Sequence, residues 1–158
     1  MPNYRINKTD HIDLTNRISF KFDGKNYFGY KGDTLASALL SNGIHLVGRS
    51  FKYHRPRGIM SCGSEEPNAI CQINEQTDFT EPNVRATEIE IYEGLEASSQ
   101  NCWPNVKFDI GGINNFISPF IPAGFYYKTF MWPKSFWYRI YEPFIRRAAG
   151  FGVASTKH

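Results

Sequence analysis

The sequence predicts an α+β domain, an open sheet layered over one helix, followed by an arm of different character. A hairpin pattern runs directly into a capped amphipathic helix, and alternating apolar segments recur after it. Beyond Asn114 the alternation gives way to prolines and aromatics.

Ile18, Phe20 and Phe22 alternate with polar residues, and Asp23-Gly24 supplies the positive φ angles of a tight turn. Residues 26–30 then run back as the second strand. In GDTLASALLSNGI, Asp33 or Thr34 can cap a helix whose Leu35, Ala38, Leu39 and Leu40 share a face, and Gly43 can end it in the left-handed conformation. A short strand or connector at 44–47, a strand at 69–73 and an alternating segment at 86–92 before the turn at Glu93-Gly94 complete the expected sheet. Residues 48–68 show little regular pattern, and a loop that long inside a compact domain is usually functional or an interface.

After Asn114 the stretch FISPFIPAGFYYKTFMWPKSFWYRIYEPFIRRAAGFG holds four prolines and most of the aromatics, so it cannot continue the sheet. Pro133 can open a helix in which Phe136, Trp137, Ile140, Tyr141, Phe144 and Ile145 recur at helical spacing. Pro143 should kink it, and Arg146, Arg147 and Gly150 suit its end. The expected organisation is an N-terminal extension at 1–16, a sheet domain at 17–114 and an aromatic arm with a terminal helix at 115–158. The arm presents more aromatic area than one small sheet needs.

A chain of 158 residues can form one domain with a real core and an appendage. The net charge of +3 is weak and the charges alternate, so bulk electrostatics do not point to nucleic acid. The N-terminus has no apolar run behind its charges, and no stretch reaches the roughly 20 apolar residues that span a bilayer. The expectation is a cytoplasmic protein with no membrane partner. Cys62, Cys71 and Cys102 are an odd set of thiols, which argues against a disulfide framework.

MSCGSEEPNAIC, residues 60–71, opens near one cysteine and closes on another. Plant-type ferredoxin loops hold an iron pair with cysteines spaced C-x4-C-x2-C, because a short loop must wrap thiolates around one face of the cluster. Counted from Cys62, the next ligand positions are Pro67 and Ile70, neither of which can bind iron. Cys71 is one residue out of register, which on a strand turns its side chain to the other face. Hairpin, helix and long loop are nevertheless the order in which a ferredoxin-type β-grasp domain reaches its cluster loop. The predicted fold is therefore a ferredoxin-like β-grasp of the two-iron, two-sulfur type without its cluster. A zinc site from the three cysteines would need separations that match no compact knuckle, so no metal ligand is assigned and the thiols are expected to be buried hydrophobes.

GRSFKYHRPRG concentrates Arg49, Lys52, His54, Arg55 and Arg57, with Phe51 and Tyr53 interleaved. Guanidinium groups grip phosphate and aromatics stack on bases, so this loop is the candidate contact for a phosphate or for a neighbouring domain. The alternatives are a solvated loop, or one paired internally with Glu65 and Glu66. His54 is the histidine best placed for chemistry, but no carboxylate or thiol lies at catalytic spacing, and a hydrogen-bonded loop histidine is the expectation. No catalytic residue is assigned.

GDTLASALLSNGIHLVGRSFKYHRPRGIMSCGSEEPNAI, with EPNVRAT, SQNCWPNVKFDIG, PFIPAGFYYKTFMWPK and YEPFIRRAAG, resembles the N-terminal part of heterotetrameric sarcosine oxidase alpha subunits. The resemblance runs from about Arg17 to Gly152. In related amine and cyanide-forming oxidoreductases the equivalent domain carries a two-iron, two-sulfur cluster, and VRAT stands where RAC supplies the last ligand. By that resemblance Thr87 replaces the fourth cysteine, and Cys102 is no substitute.

Such alpha subunits continue into dinucleotide-binding and folate-binding domains, and GFGVAS near the end lacks the spacing of a G-x-G-x-x-G loop. The resemblance thus implies an excised domain, a truncated product or a split gene. It also implies an assembled enzyme that oxidatively demethylates sarcosine to glycine using FAD, FMN and NAD, passing the one-carbon unit to tetrahydrofolate. This chain would hold none of those cofactors. Its expected partners are the remaining alpha-subunit domains and the other subunits, and its expected role is structural. An electron-transfer ferredoxin module and a small nucleic-acid-binding protein using the basic loop are the alternatives.

Overall fold

In the computed structural model of the chain, residues 4–5, 11–75, 79–120, 130–150 and 152–155 are described. The hairpin forms as expected from β1 (Asp13–Phe22) and β2 (Lys25–Lys31), with Phe20 opposite Tyr27. Asp23 and Gly24 have φ of 48° and 74°, the pair of left-handed residues that matches strand twist in a two-residue turn. β1 begins inside the segment expected as an extension. Further upstream, the backbone N–H of Tyr4 donates to Ser41 O at 3.2 Å, and Arg5 pairs with the buried Asp33.

Helix α1 (Leu35–Ser41) is capped by Thr34, whose hydroxyl accepts from the N–H of Ser37 at 3.2 Å. Asp33 has a different duty. Its carboxylate also accepts from the N–H of Tyr30 at 2.9 Å and the hydroxyl of Ser37 at 2.7 Å. Gly43, at φ 76°, turns the chain away after the helix.

β3 (Leu46–Arg49) and β4 (Pro56–Gly58) form a small antiparallel ribbon within the long loop. β5 (Ile70–Glu75), β6 (Phe79–Arg85) and β7 (Glu96–Ser99) join the hairpin in one mixed sheet of order β2-β1-β7-β5-β6. The β1–β7 pair is parallel and the others are antiparallel. The core holds Phe20, Phe22, Leu35, Leu39, Cys71, Ile73, Ile91 and Leu95 between the sheet and α1. Each large apolar side chain buried there contributes on the order of 2 kcal/mol, so hairpin, helix and β5 stabilise one another.

One expectation about the sheet fails for an identifiable reason. Residues 86–92 alternate but are no strand: they cross the start of α1, where Ile89 O accepts from the N–H of Leu35 and Ala86 O from the N–H of Ala36, both at 2.8 Å. First-turn N–H groups lack intrahelical partners, and this segment supplies them. Its alternation comes from burying Ala86 and Ile91. β6 contains Pro82, which cannot donate to a ladder, and it lies at the sheet edge, where no such donation is needed.

Beyond β7 lie a 3-10 turn at Ile110–Gly112 and the short helix α2 (Ile113–Phe116). The expected terminal helix is present but not as one kinked rod. A 3-10 turn at Lys134–Phe136 and a π-helical turn at Trp137–Tyr141 precede α3 (Glu142–Ala149). Pro143 therefore falls where the π-helical turn passes into α3, and its missing N–H coincides with that change of helical pattern. Gly150, at φ 60°, ends α3. Val153 then returns to the sheet, its N–H donating to Gln72 Oε1 at 2.9 Å and its carbonyl accepting from the hydroxyl of Thr80 at 2.7 Å. The aromatic stretch 121–129 and Phe151 lie outside the described residues.

Candidate functional site

The loop that leads from β4 to β5 is organised around one carboxylate. Glu66 is 1% exposed. Its Oε2 accepts from the N–H of Met60 at 2.7 Å and of Ser61 at 2.6 Å, and its Oε1 from the N–H of Asn68 at 2.8 Å and of Ala69 at 3.2 Å. Burial alone would raise its pKa and is the largest single influence, but the converging backbone donors together outweigh it and hold the group at about 2. The carboxylate is thus charged and ties both limbs of the loop together. The hydroxyl of Thr87 adds a second tie, donating to Gly63 O at 2.8 Å.

These residues do not fit a two-iron cluster. Cys62 is exposed on the loop, whereas Cys71 is fully buried on β5 with its thiol pushed up to about 12 by burial and, less, by Asp23. The two thiols therefore do not share one exposed face of the loop. Cys102, half-buried, lies 3.4 Å from the hydroxyl of Ser99, and burial raises its pKa as well. Among the described residues no group of three or more His, Cys, Asp or Glu side chains could hold a metal ion. Backbone donors on both limbs of the loop face the Glu66 carboxylate.

The basic loop divides into an inward and an outward set. Arg49 is spent on carbonyls, donating through Nε to Val106 O at 2.9 Å, through Nη1 to His54 O at 3.1 Å and through Nη2 to Lys107 O at 3.2 Å. His54, at φ 52°, sets its Nδ1 2.7 Å from Asp109 Oδ2. The other oxygen of Asp109 accepts from the N–H of Trp103 at 2.9 Å and of Gly111 at 3.2 Å. Asp109 is fifty-five residues from His54, so sequence spacing gave no warning of the pair. It locks an imidazole and two loops together, a structural use of a histidine and a carboxylate.

Lys52, Arg55 and Arg57 face outward. The Lys52 ammonium and the Arg55 guanidinium each lie 4.9 Å from the Tyr53 ring centroid, and Arg57 donates to Asn68 Oδ1 at 3.0 Å. Arg55 also reaches Asn115 Oδ1 at 3.2 Å. Of the two glutamates named in the internally paired alternative, Glu66 accepts the N–H groups of Met60, Ser61, Asn68 and Ala69. Arg49, Arg57, Asn68 and Gln100 contribute to a recess of about 230 Å³ beside the loop, and among the described residues the Nε2 of the buried Gln100 has no hydrogen-bond partner.

The arm carries the largest exposed aromatics. Phe116, Trp132 and Tyr138 are 83%, 84% and 84% exposed, and Phe144 is 64% exposed. Tyr141 holds the arm's own fold, with its ring 5.3 Å from that of Phe130 and its hydroxyl donating to Trp132 O at 2.8 Å.

Residues 15–102 match the model of a family described as a 2Fe-2S iron-sulfur cluster binding domain. Over 155 residues the chain is 59% identical to the sarcosine oxidase subunit alpha of Rhizobium meliloti (strain 1021), covering 98% of this chain and 16% of that protein. It is 40% identical over 96 residues to the subunit of that name from Corynebacterium sp. (strain U-96), covering 60% of this chain and 9% of that protein. The chain thus spans less than a fifth of the length of these relatives. Among solved structures, L-proline dehydrogenase from P. horikoshii aligns over 52% of this chain and 15% of its own, at 25% identity and a TM-score of 0.42, too loose a likeness to bear on the fold.

Proposed function

Because the chain belongs to the 2Fe-2S iron-sulfur cluster binding domain family, we propose that it is a cluster-free member serving as a structural and assembly domain of a sarcosine-oxidase-like alpha subunit. The parallel β1–β7 pair inside a mixed sheet, with α1 against it, supports a β-grasp scaffold over 17–114, and 115–158 forms the docking arm. The whole enzyme would oxidatively demethylate sarcosine to glycine and pass the one-carbon unit to tetrahydrofolate, with FAD, FMN and NAD held by other parts of the assembly. The cytoplasm is its proposed location.

The observation that carries this reading is the exposure of Trp132, Tyr138 and Phe144 along one arm. Exposed aromatics gathered in that way mark a surface that is covered in the working protein. The proposed cover is the remainder of a longer alpha subunit, since the 59%-identical relative has most of its length outside the matched segment. Lys52, Arg55 and Arg57 would add polar contacts at that junction or to a dinucleotide phosphate, while Arg49 and His54 support the loop from within.

Copurification tests the reading. The chain is expressed beside the rest of the alpha subunit on a second plasmid, as parent and as the triple variant Trp132→Ser, Tyr138→Ser, Phe144→Ser. The parent should be retained and the variant lost, and equal retention would refute the docking arm. Iron bound in stoichiometric amount by the purified parent would refute the cluster-free assignment.

A further inference from the structure

We propose that the loop at 59–69 is an anion site and that its occupant is the chain's own Glu66 carboxylate, which takes over the loop-organising role that cluster sulfurs have in cluster-bearing members of the family. This rests on the cluster-free reading above. The geometry is that of a nest: four backbone N–H groups from two limbs of one loop converge on one carboxylate, and the hydroxyl of Ser61 stands 3.3 Å from its Oε2.

Charge bookkeeping around the nest points the same way. Arg85 donates to Glu66 through the backbone carbonyl, at 3.2 Å, and pairs with Glu88, so its guanidinium does not serve the carboxylate. The neighbouring Glu65 and Cys62 are exposed. The positive ends of the N–H dipoles are therefore what the buried carboxylate answers. Left without an anion, the buried N–H of Ala69 and the part-buried N–H groups of Met60, Ser61 and Asn68 would lose their partner, which is costly most of all for the buried one. Iron-sulfur loops meet the same need through hydrogen bonds from backbone to cluster sulfur. When ligand cysteines are absent, one glutamate within the loop can meet it without any cofactor. The ties from Thr87 to Gly63 O and from the N–H of Ala86 to Ala69 O, at 2.8 Å each, then close the loop against the turn after β6.

Chemical rescue tests the proposal on the full chain. Glu66→Ala should empty the nest and lower the melting temperature by about 5 °C or more. Formate should restore part of that loss saturably, relative to chloride at equal ionic strength, and should leave the parent unchanged. Glu66→Gln keeps the shape but not the charge, and should melt between the parent and Glu66→Ala. A Glu66→Ala protein that melts with the parent, or that gains no more from formate than the parent does, overturns the assignment. If Glu66→Ala does not fold, Glu66→Gln decides, because melting equal to the parent would show that charge is irrelevant there. Iron and sulfide reconstitution of the parent addresses the cluster-free reading by itself, since bound iron would sink that reading whatever formate does to Glu66→Ala.

Discussion

His54 Nδ1 lies 2.7 Å from Asp109 Oδ2, and through this contact the basic loop is fastened to the segment that leaves β7. Asp109 serves the N–H groups of Trp103 and Gly111 at the same time. Asp109→Ala should therefore cost about 2 kcal/mol, since it leaves several partly buried donors unpaired. The His54→Gln, Asp109→Asn double mutant in a urea-unfolding cycle should show a coupling of roughly 1 kcal/mol. Additive single mutants would mean that the pair does not hold the loops together.

Arg49 and the pair Arg55 and Arg57 should behave oppositely although they share one motif. Arg49→Ala strips three carbonyls of their donor and should destabilise the fold by about 1–3 kcal/mol. Replacing Arg55 and Arg57 with Ala should stay within about 0.5 kcal/mol of the parent, as surface changes usually do, while weakening assembly with the rest of the alpha subunit. A double mutant that melts far below the parent yet assembles normally would remove the outward set from the interface.

Glu66 gives the stability a defined acid limb. Its folded pKa, about 2, lies below the ordinary carboxylate value of 4.5. The folded state then holds the proton less tightly than the unfolded chain, so the contribution is full above pH 4.5 and is lost as pH falls from there towards 2. The loss should be on the order of 3 kcal/mol. Urea unfolding of parent and Glu66→Gln at pH 5 and pH 2.5 measures it as the change in their difference, and a difference constant with pH would contradict the assignment.

Cys62 and Cys71 should separate cleanly towards a thiol reagent. The burial that pushes the Cys71 thiol up to about 12 also closes it to reagents, whereas Cys62 is exposed. Mass spectrometry after brief alkylation at pH 8 should find Cys62 modified and Cys71 intact until denaturant is added. Labelling of Cys71 in the folded protein at a similar rate would mean that β5 opens readily.

The arm should be the least self-sufficient part of the chain. Burying a large aromatic is worth about 2 kcal/mol, so the exposed Trp132, Tyr138 and Phe144 favour self-association when no partner covers them. Sedimentation should show concentration-dependent dimers or larger species that the triple Ser variant lacks. Hydrogen exchange in a strictly monomeric sample that protected residues 137–145 as well as β1 would instead place the arm in the domain's own core.

The sequence by itself determined what short-range physics controls. The hairpin turn at Asp23-Gly24, the α1 cap at Thr34, the α3 stop at Gly150 and the misfit of Pro67 and Ile70 to iron ligation all depend on residues within a few positions of one another. Backbone sterics, local hydrogen bonds and ligand spacing act over that range, so they can be read from letters in order. Only the tertiary structure decided the rest. Alternation at 86–92 fits a strand, but its carbonyls were drawn to the unpaired N–H groups of α1, and Pro82 was tolerable only because β6 came to lie at an edge. Whether Glu66 pointed to solvent or into its own loop, and which carboxylate met His54, depended on chain closures that bring distant backbone donors together. A buried charge must be satisfied by whatever the fold places around it, and that neighbourhood is not encoded at any fixed spacing.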